Sequence, residues 1–120
     1  DNVDNDSVFL RLGDVLLMKA EAIQRGGTAT LGQTTLSLVN LVRARSGAPA
    51  LGSVNADQLL DERAREMYWE GWRRIDLVRF GKFNNPTQVR TAASAPNRML
   101  FPIPAQQIAV NPNLEQNPGY

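Results

Sequence analysis

The feature that most constrains the fold is a helical repeat of apolar residues that surrounds most of the segment from Phe9 to Arg25. Four charged residues fall on one narrow polar stripe that Met18 interrupts, and their spacing predicts two ion pairs along the helix: Arg11 with Asp14, and Glu21 with Arg25. A helix that is apolar almost all round needs covering on most sides, so we expect it to be largely buried. Gly26 and Gly27 predict its end.

A second helix is predicted over residues 34–46, where Arg43 and Arg45 complement the helix dipole in the last turn and Gly47 follows. The short intervening loop favours an antiparallel hairpin of these first two helices. A third helix should begin near Ala56, because Asn55 and Gln58 have the spacing of a capping box.

The helical pattern that starts at Ala56 continues through Gly71 as far as Gly81, which predicts helix over 56–80. Gly71 leaves two alternatives, a kink in one helix or a separate short fourth helix. Prolines then predict an irregular arm over 84–120, with at most a single helical turn near Ala105. The predicted fold class is all-α, with tetratricopeptide-like helical hairpins and an irregular proline-rich C-terminal arm, although no repeat of about 34 residues is present.

Composition limits the possible chemistry. The 120 residues can hold one core, and a net charge of +1 provides no overall field that would recruit nucleic acid. Cysteine and histidine are both absent, which excludes thiolate chemistry and most hydrolase triads. No cofactor and no metal site is expected. Residues 1–7 are a polar stretch without an initiator Met, which we interpret as a loop after a missing upstream part.

Glu62, Glu66 and Glu70 lie at i, i+4 and i+8 on one face of the predicted helix. Paired carboxylates can serve as acid and base in a glycosidase. The simpler interpretation is that they form ion pairs with the neighbouring arginines, which are Arg63, Arg65, Arg73 and Arg74. We favour the ion pairs and expect no catalytic residue, because nothing in the sequence indicates a cleft around these acids.

Tyr68, Trp69 and Trp72 offer flat faces that could stack on a sugar or on an arginine. Aromatic residues three apart on a helix more often anchor a core. We therefore expect packing to be their role.

Four stretches, in this order, resemble the C-terminal part of the SusD/RagB family: residues 11–22 (RLGDVLLMKAEA), residues 39–47 (VNLVRARSG), residues 62–81 (ERAREMYWEGWRRIDLVRFG), and FPIP at 101–104 with NLEQNPGY at 113–120. They span nearly the whole chain. Gly13 and Met67 stand where the family usually has Ala and Leu.

The resemblance implies a tetratricopeptide-containing lipoprotein on the outer face of the outer membrane of Bacteroidota-type bacteria. Such a protein captures glycans or peptides for a SusC-like TonB-dependent transporter and is not an enzyme. Its lipid anchor would belong to an N-terminus outside this chain, and no ligand-binding residue is carried over. The alternative is a tetratricopeptide-like scaffold that binds protein partners.

Five residues match charged positions of the third family stretch: Glu66, Glu70, Arg73, Asp76 and Arg79. Charges in a helical scaffold persist only when they are paired. We therefore predict a structural charge network of these residues around a bend at Gly71.

Overall fold

A computed structural model of the chain describes residues 8–120. Its elements are α1 Leu12–Gln24, α2 Thr35–Arg45, α3 Ala56–Glu66, α4 Arg73–Arg79, a 3₁₀ helix Pro96–Met99 and α5 Ala105–Val110. Residues 8–120 contain no strand, which confirms the all-α class. The tetratricopeptide-like arrangement stays a prediction, and the polar loop predicted for residues 1–7 lies outside the described part of the chain.

Helices α1 and α2 form an antiparallel hairpin. The hydroxyl of Thr35, at the start of α2, donates to the carbonyl of Ala20 near the end of α1 at 3.1 Å. At the opposite end, Leu16 of α1 and Leu41 of α2 line the same groove. Helix α3 packs against both helices. The three helices enclose an apolar core that consists of Leu17, Ala20, Leu38, Val39, Val42, Leu59, Leu60 and Met67.

Helix α3 begins where its sequence predicts. The Asn55 side chain accepts from the amide of Gln58 at 2.8 Å, and the Gln58 side chain accepts from the amide of Asn55 at 2.9 Å. This reciprocal capping box satisfies two amides that the first turn of a helix leaves without partners.

The helix predicted over 56–80 is interrupted. Helix α3 ends at Glu66 and α4 begins at Arg73, so the break starts before Gly71 and leaves two separate helices. Trp69 and Gly71 both have left-handed backbone, with φ of 67° and 80°, which no α-helix can contain. The carbonyl of Glu66 accepts from the Arg11 guanidinium instead of continuing the helix.

Helix α1 turns its polar stripe inward, contrary to the expectation that apolar side chains would be the buried ones on most sides. Asp14 and Glu21 are buried, whereas Leu12, Val15 and Met18 are largely exposed to solvent. The predicted pair of Glu21 with Arg25 is present at 2.9 Å. The predicted pair of Arg11 with Asp14 is wrong, because both residues bind partners beyond their own helix.

The chain divides into two compact units, one that ends at Asp76 and one from Leu77 to Tyr120, where composition suggested one core. In the second unit, the side-chain amide of Gln116 donates to the carbonyl of Ile103 at 2.9 Å and accepts from its amide at 2.8 Å. Proline on both sides of Ile103 prevents a regular helix there, so this side chain provides its backbone partners. Helix α5 has six residues, slightly more than the predicted single turn.

Candidate functional site

A buried arginine joins three helices of the first unit. The Arg63 Nε donates to Asp76 Oδ2 at 2.9 Å, and its Nη1 lies 3.0 Å from Asp14 Oδ1. The three side chains are 2%, 1% and 1% exposed for Arg63, Asp14 and Asp76. Arg63 Nη1 and Asp14 Oδ1 are close but not aligned for a hydrogen bond, so their attraction is an ion pair only. Arg63 thus holds α1, α3 and α4 together.

Arg11 donates hydrogen bonds to the end of α3 and to the turn that follows it. Its Nη1 and Nη2 donate to the carboxylate and the carbonyl of Glu66, and its Nε lies 2.9 Å from both carboxylate oxygens of Glu70. Arg11 Nη2 also contacts the Met67 sulfur at 3.3 Å. One guanidinium therefore caps α3 and fixes the segment that leads to Gly71.

Gly13 is what lets this cluster lie so close to α1. A Cβ at Gly13 would come within 2.6 Å of Arg11 Nη1 and within 3.2 Å of the Glu66 Cδ. Both distances are shorter than ordinary van der Waals contact. The glycine that departs from the family pattern therefore makes room for the Arg11 and Glu66 pair.

Glu62, the third of the stacked acids, also pairs with arginine, and Glu66 has a second arginine partner. Arg43 Nη1 lies 2.7 Å from Glu62 Oε2, and Arg65 Nη2 lies 2.6 Å from the same oxygen. Arg45 binds Glu66 through both carboxylate oxygens.

The predicted five-residue network is distributed over different partners. Glu66 and Glu70 bind Arg11, and the structure joins neither of them to Arg73. The Arg73 Nη1 donates to the Leu60 carbonyl at 2.9 Å, and its Nη2 lies 3.8 Å from Asp61. Asp76 binds Arg63, and the Arg79 guanidinium lies 5.5 Å from the ring centroid of Phe80.

Sequence reasoning named Arg11, Arg45 and Arg63 but missed the acids that they bind in the folded chain. Helical spacing can suggest only ion pairs at i,i+3 and i,i+4, because these are the residues that lie side by side on one helix. A signal was nonetheless present, because Arg11, Asp14 and Arg63 all stand in the stretches that resemble the family.

Glu70 has the wrong electrostatics for a general acid, and the other two stacked acids are engaged by arginines. A general acid needs a raised pKa. Hydrogen bonds from Arg11 lower the pKa of Glu70 below its ordinary value. Glu62 and Glu66 each bind two arginines. Residues 8–120 contain no group of three or more side chains suited to hold a metal ion.

The turn between α3 and α4 forms one side of a groove. This groove, which we call the Trp69 groove, has a volume of about 550 Å³. Its lining residues are Ala64, Met67, Tyr68, Trp69, Gly71, Arg73 and Arg74. Trp69 is 88% exposed, so the expectation that it packs in a core is wrong for this residue. Tyr68 is 73% exposed, so the expectation is wrong for it as well. Trp72 is half-buried, and its ring centroid lies 6.1 Å from that of Phe9, which is itself largely exposed.

A second groove of about 460 Å³ lies between α1 and α2. Leu12, Leu16 and Leu41 form part of its wall, and Arg11 and Arg45 stand beside them. Both arginines are paired with Glu66, and Arg11 also binds Glu70, so two acids balance the two cations beside this apolar groove. No helix in residues 8–120 has the length and apolar character that crossing a membrane requires.

Comparison with known proteins agrees with the sequence motifs. The sequence model of the SusD family matches residues 1–120. The chain is 37% identical to the starch-binding protein SusD of Bacteroides thetaiotaomicron over 98% of its own length and 22% of the relative. It is 33% identical to the SusD-like protein P38 of Formosa agariphila, over 98% of the chain and 25% of the relative. The chain thus spans about a quarter of the length of these relatives, and it belongs to the SusD family.

Proposed function

We propose that this chain is part of a surface protein that binds a nutrient, either a glycan or a peptide, for a SusC-like TonB-dependent transporter. The observation that carries the proposal is the family match over the whole chain, together with a relative named for starch binding. The outer membrane is the proposed location, and a lipid anchor would be supplied by sequence outside this chain.

The described geometry supports binding without catalysis. Each of the three stacked acids forms an ion pair with an arginine of another part of the first unit. The arginines fix helices relative to one another, since Arg11, Arg43 and Arg63 all reach a different helix from their own. In this proposal the first unit is a rigid support for ligand binding.

A screen of oligosaccharides and peptides by titration calorimetry on the full-length protein tests the ligand class. We expect saturable binding of at least one saccharide or peptide, with no cleavage products by chromatography. Turnover of a bound glycan would overturn the proposal in favour of a hydrolase.

Two further experiments test partner and location. Affinity purification from detergent-solubilised outer membranes should recover a TonB-dependent transporter, and intact cells treated with protease should lose the protein. A protein that resists external protease and recovers no transporter is not a surface nutrient-binding protein.

A scaffold for protein partners is the second candidate. It is favoured by Leu12, Val15 and Met18, which lie at spacings of three on the outer face of α1 and are exposed. Recovery of a soluble protein partner, with no binding in the saccharide and peptide screen, would select this alternative.

A further inference from the structure

The backbone of Trp69 is strained and its side chain is exposed, two properties that packing does not explain. Left-handed backbone at φ 67° is energetically unfavourable for a bulky residue. An indole that is 88% exposed also gains little from removal of apolar surface from water. Strained residues of this kind cluster at sites that contact ligands.

The strained turn is held from both ends. Arg11 binds the Glu66 carbonyl before the turn and the Glu70 carboxylate after Trp69. Within the turn, the Glu70 amide donates to the Met67 carbonyl at 3.1 Å. The indole is therefore presented by a fixed backbone, and a ligand that uses it would not have to order the turn.

Around the indole, the Trp69 groove offers a second aromatic ring and a hydrogen-bond donor. The Tyr68 ring lies 6.0 Å from the Trp69 ring at 87°, so the two rings form a corner. Arg73 is 45% exposed, and its nearest carboxylate, on exposed Asp61, is 3.8 Å away, which makes a weak pair. Its guanidinium has five N–H donors and so retains donors for a ligand.

A pyranose ring matches this combination. Its C–H face is apolar and flat enough to stack on an indole, and its hydroxyl oxygens accept hydrogen bonds from arginine. A volume of about 550 Å³ is within the range of small-molecule sites. We propose that the Trp69 groove is a saccharide subsite, in which one pyranose ring stacks on Trp69 and receives hydrogen bonds from Arg73. This inference rests on the proposed glycan-binding function and assigns residues to it.

Trp69→Asn separates a binding role from a packing role, because the two roles predict opposite effects on stability. Asparagine accepts left-handed backbone far better than tryptophan, so the variant should melt at the same temperature as wild type or higher. Its affinity for saccharide should fall by on the order of tenfold, the usual effect of losing a buried aromatic contact. Arg73→Gln should weaken binding several-fold.

The measurement is titration calorimetry of the full-length protein with maltoheptaose, cellohexaose and tri-galacturonate, with melting temperatures recorded in parallel. Trp72→Phe is the matched control, since Trp72 packs on Phe9 outside the groove lining. It should lower the melting temperature and leave the affinity unchanged.

The outcomes distinguish the two proposals. If wild type binds and Trp69→Asn binds equally well, the subsite is overturned and the proposed function stands. A clear fall in the melting temperature of Trp69→Asn with unchanged affinity also overturns the subsite, because Trp69 is then packed in the full-length protein. If wild type binds none of the three saccharides, the subsite is overturned, and the proposed function is then decided by the wider screen of oligosaccharides and peptides.

Discussion

Replacing Arg63 with methionine removes the cation that lies between two buried carboxylates and keeps a side chain of similar length. The removal leaves Asp14 and Asp76 without the guanidinium that each contacts at 2.9–3.0 Å. Loss of one partner from a buried ion pair costs about 3–5 kcal/mol, because a charge that is shielded from water loses its compensation. Since Arg63 serves two acids, we expect a cost in the upper part of that range.

Such a cost is a large fraction of a domain's free energy of unfolding. Native domains are stable by only about 5–15 kcal/mol, so Arg63→Met should come close to unfolding a marginal protein. With a urea dependence of about 1–3 kcal/mol per molar, the unfolding midpoint should fall by more than about 1 M.

Urea unfolding of the full-length protein, followed by circular dichroism at pH 7, measures this difference. Arg65→Met is the matched control, because Arg65 lies on the same helix as Arg63 and pairs with an acid, Glu62 at 2.6 Å, but is 56% exposed. Because Arg65 is exposed and Glu62 keeps its second partner Arg43, this replacement should cost no more than about 0.5 kcal/mol.

A combined variant tests whether charge is the cause. Arg63→Met together with Asp14→Asn and Asp76→Asn removes all three charges and should recover part of the lost stability. If Arg63→Met costs no more than Arg65→Met, the trio is not desolvated in the folded protein and the reasoning is refuted.

Three further predictions concern exposed or half-buried groups. Arg11 lowers the pKa of Glu70 below its ordinary 4.5. The Arg11–Glu70 pair therefore stabilises the folded state fully above pH 4.5, and this stabilisation is lost as the pH falls through the lower pKa of Glu70 in the folded protein. Between pH 7 and pH 3, Glu70→Gln should lose less stability than wild type in urea unfolding. Gly13→Ala should fail to give the helix-propensity gain of up to about 1 kcal/mol in wild type but give it in a Glu66→Ala background, because the added Cβ crowds the Glu66 carboxylate. Arg73→Ala should cost only about 0–1 kcal/mol, and a double-mutant cycle with Glu70 should give a coupling near zero; a coupling above about 1 kcal/mol would restore the predicted network.

The sequence by itself determined where the first three helices begin, to within a few residues, and what caps the start of α3. Asn55 and Gln58 form the predicted capping box, and Arg43 and Arg45 stand in the last turn of α2 as expected. The pair of Glu21 with Arg25 was also predictable. All of these depend on residues within one turn of each other, where local spacing fixes geometry.

Only the tertiary structure decided the partners of the other charges. Arg11 reaches Glu70 and Arg63 reaches Asp14 across large separations in sequence, and helical spacing carries no information about such contacts. These long-range pairs also decide which face of α1 is buried. Asp14 lies in the interior because it pairs with buried Arg63, whereas Val15 remains exposed.

The turn after α3 shows the same limit. Sequence placed a break at Gly71, because glycine is the residue that most readily adopts left-handed backbone. The helix instead ends at Glu66, where Arg11 from another helix takes the carbonyl that the next turn would have used. The helical pattern of residues 56–80 could not reveal this end, because Arg11 lies at the start of α1 and not in the pattern itself.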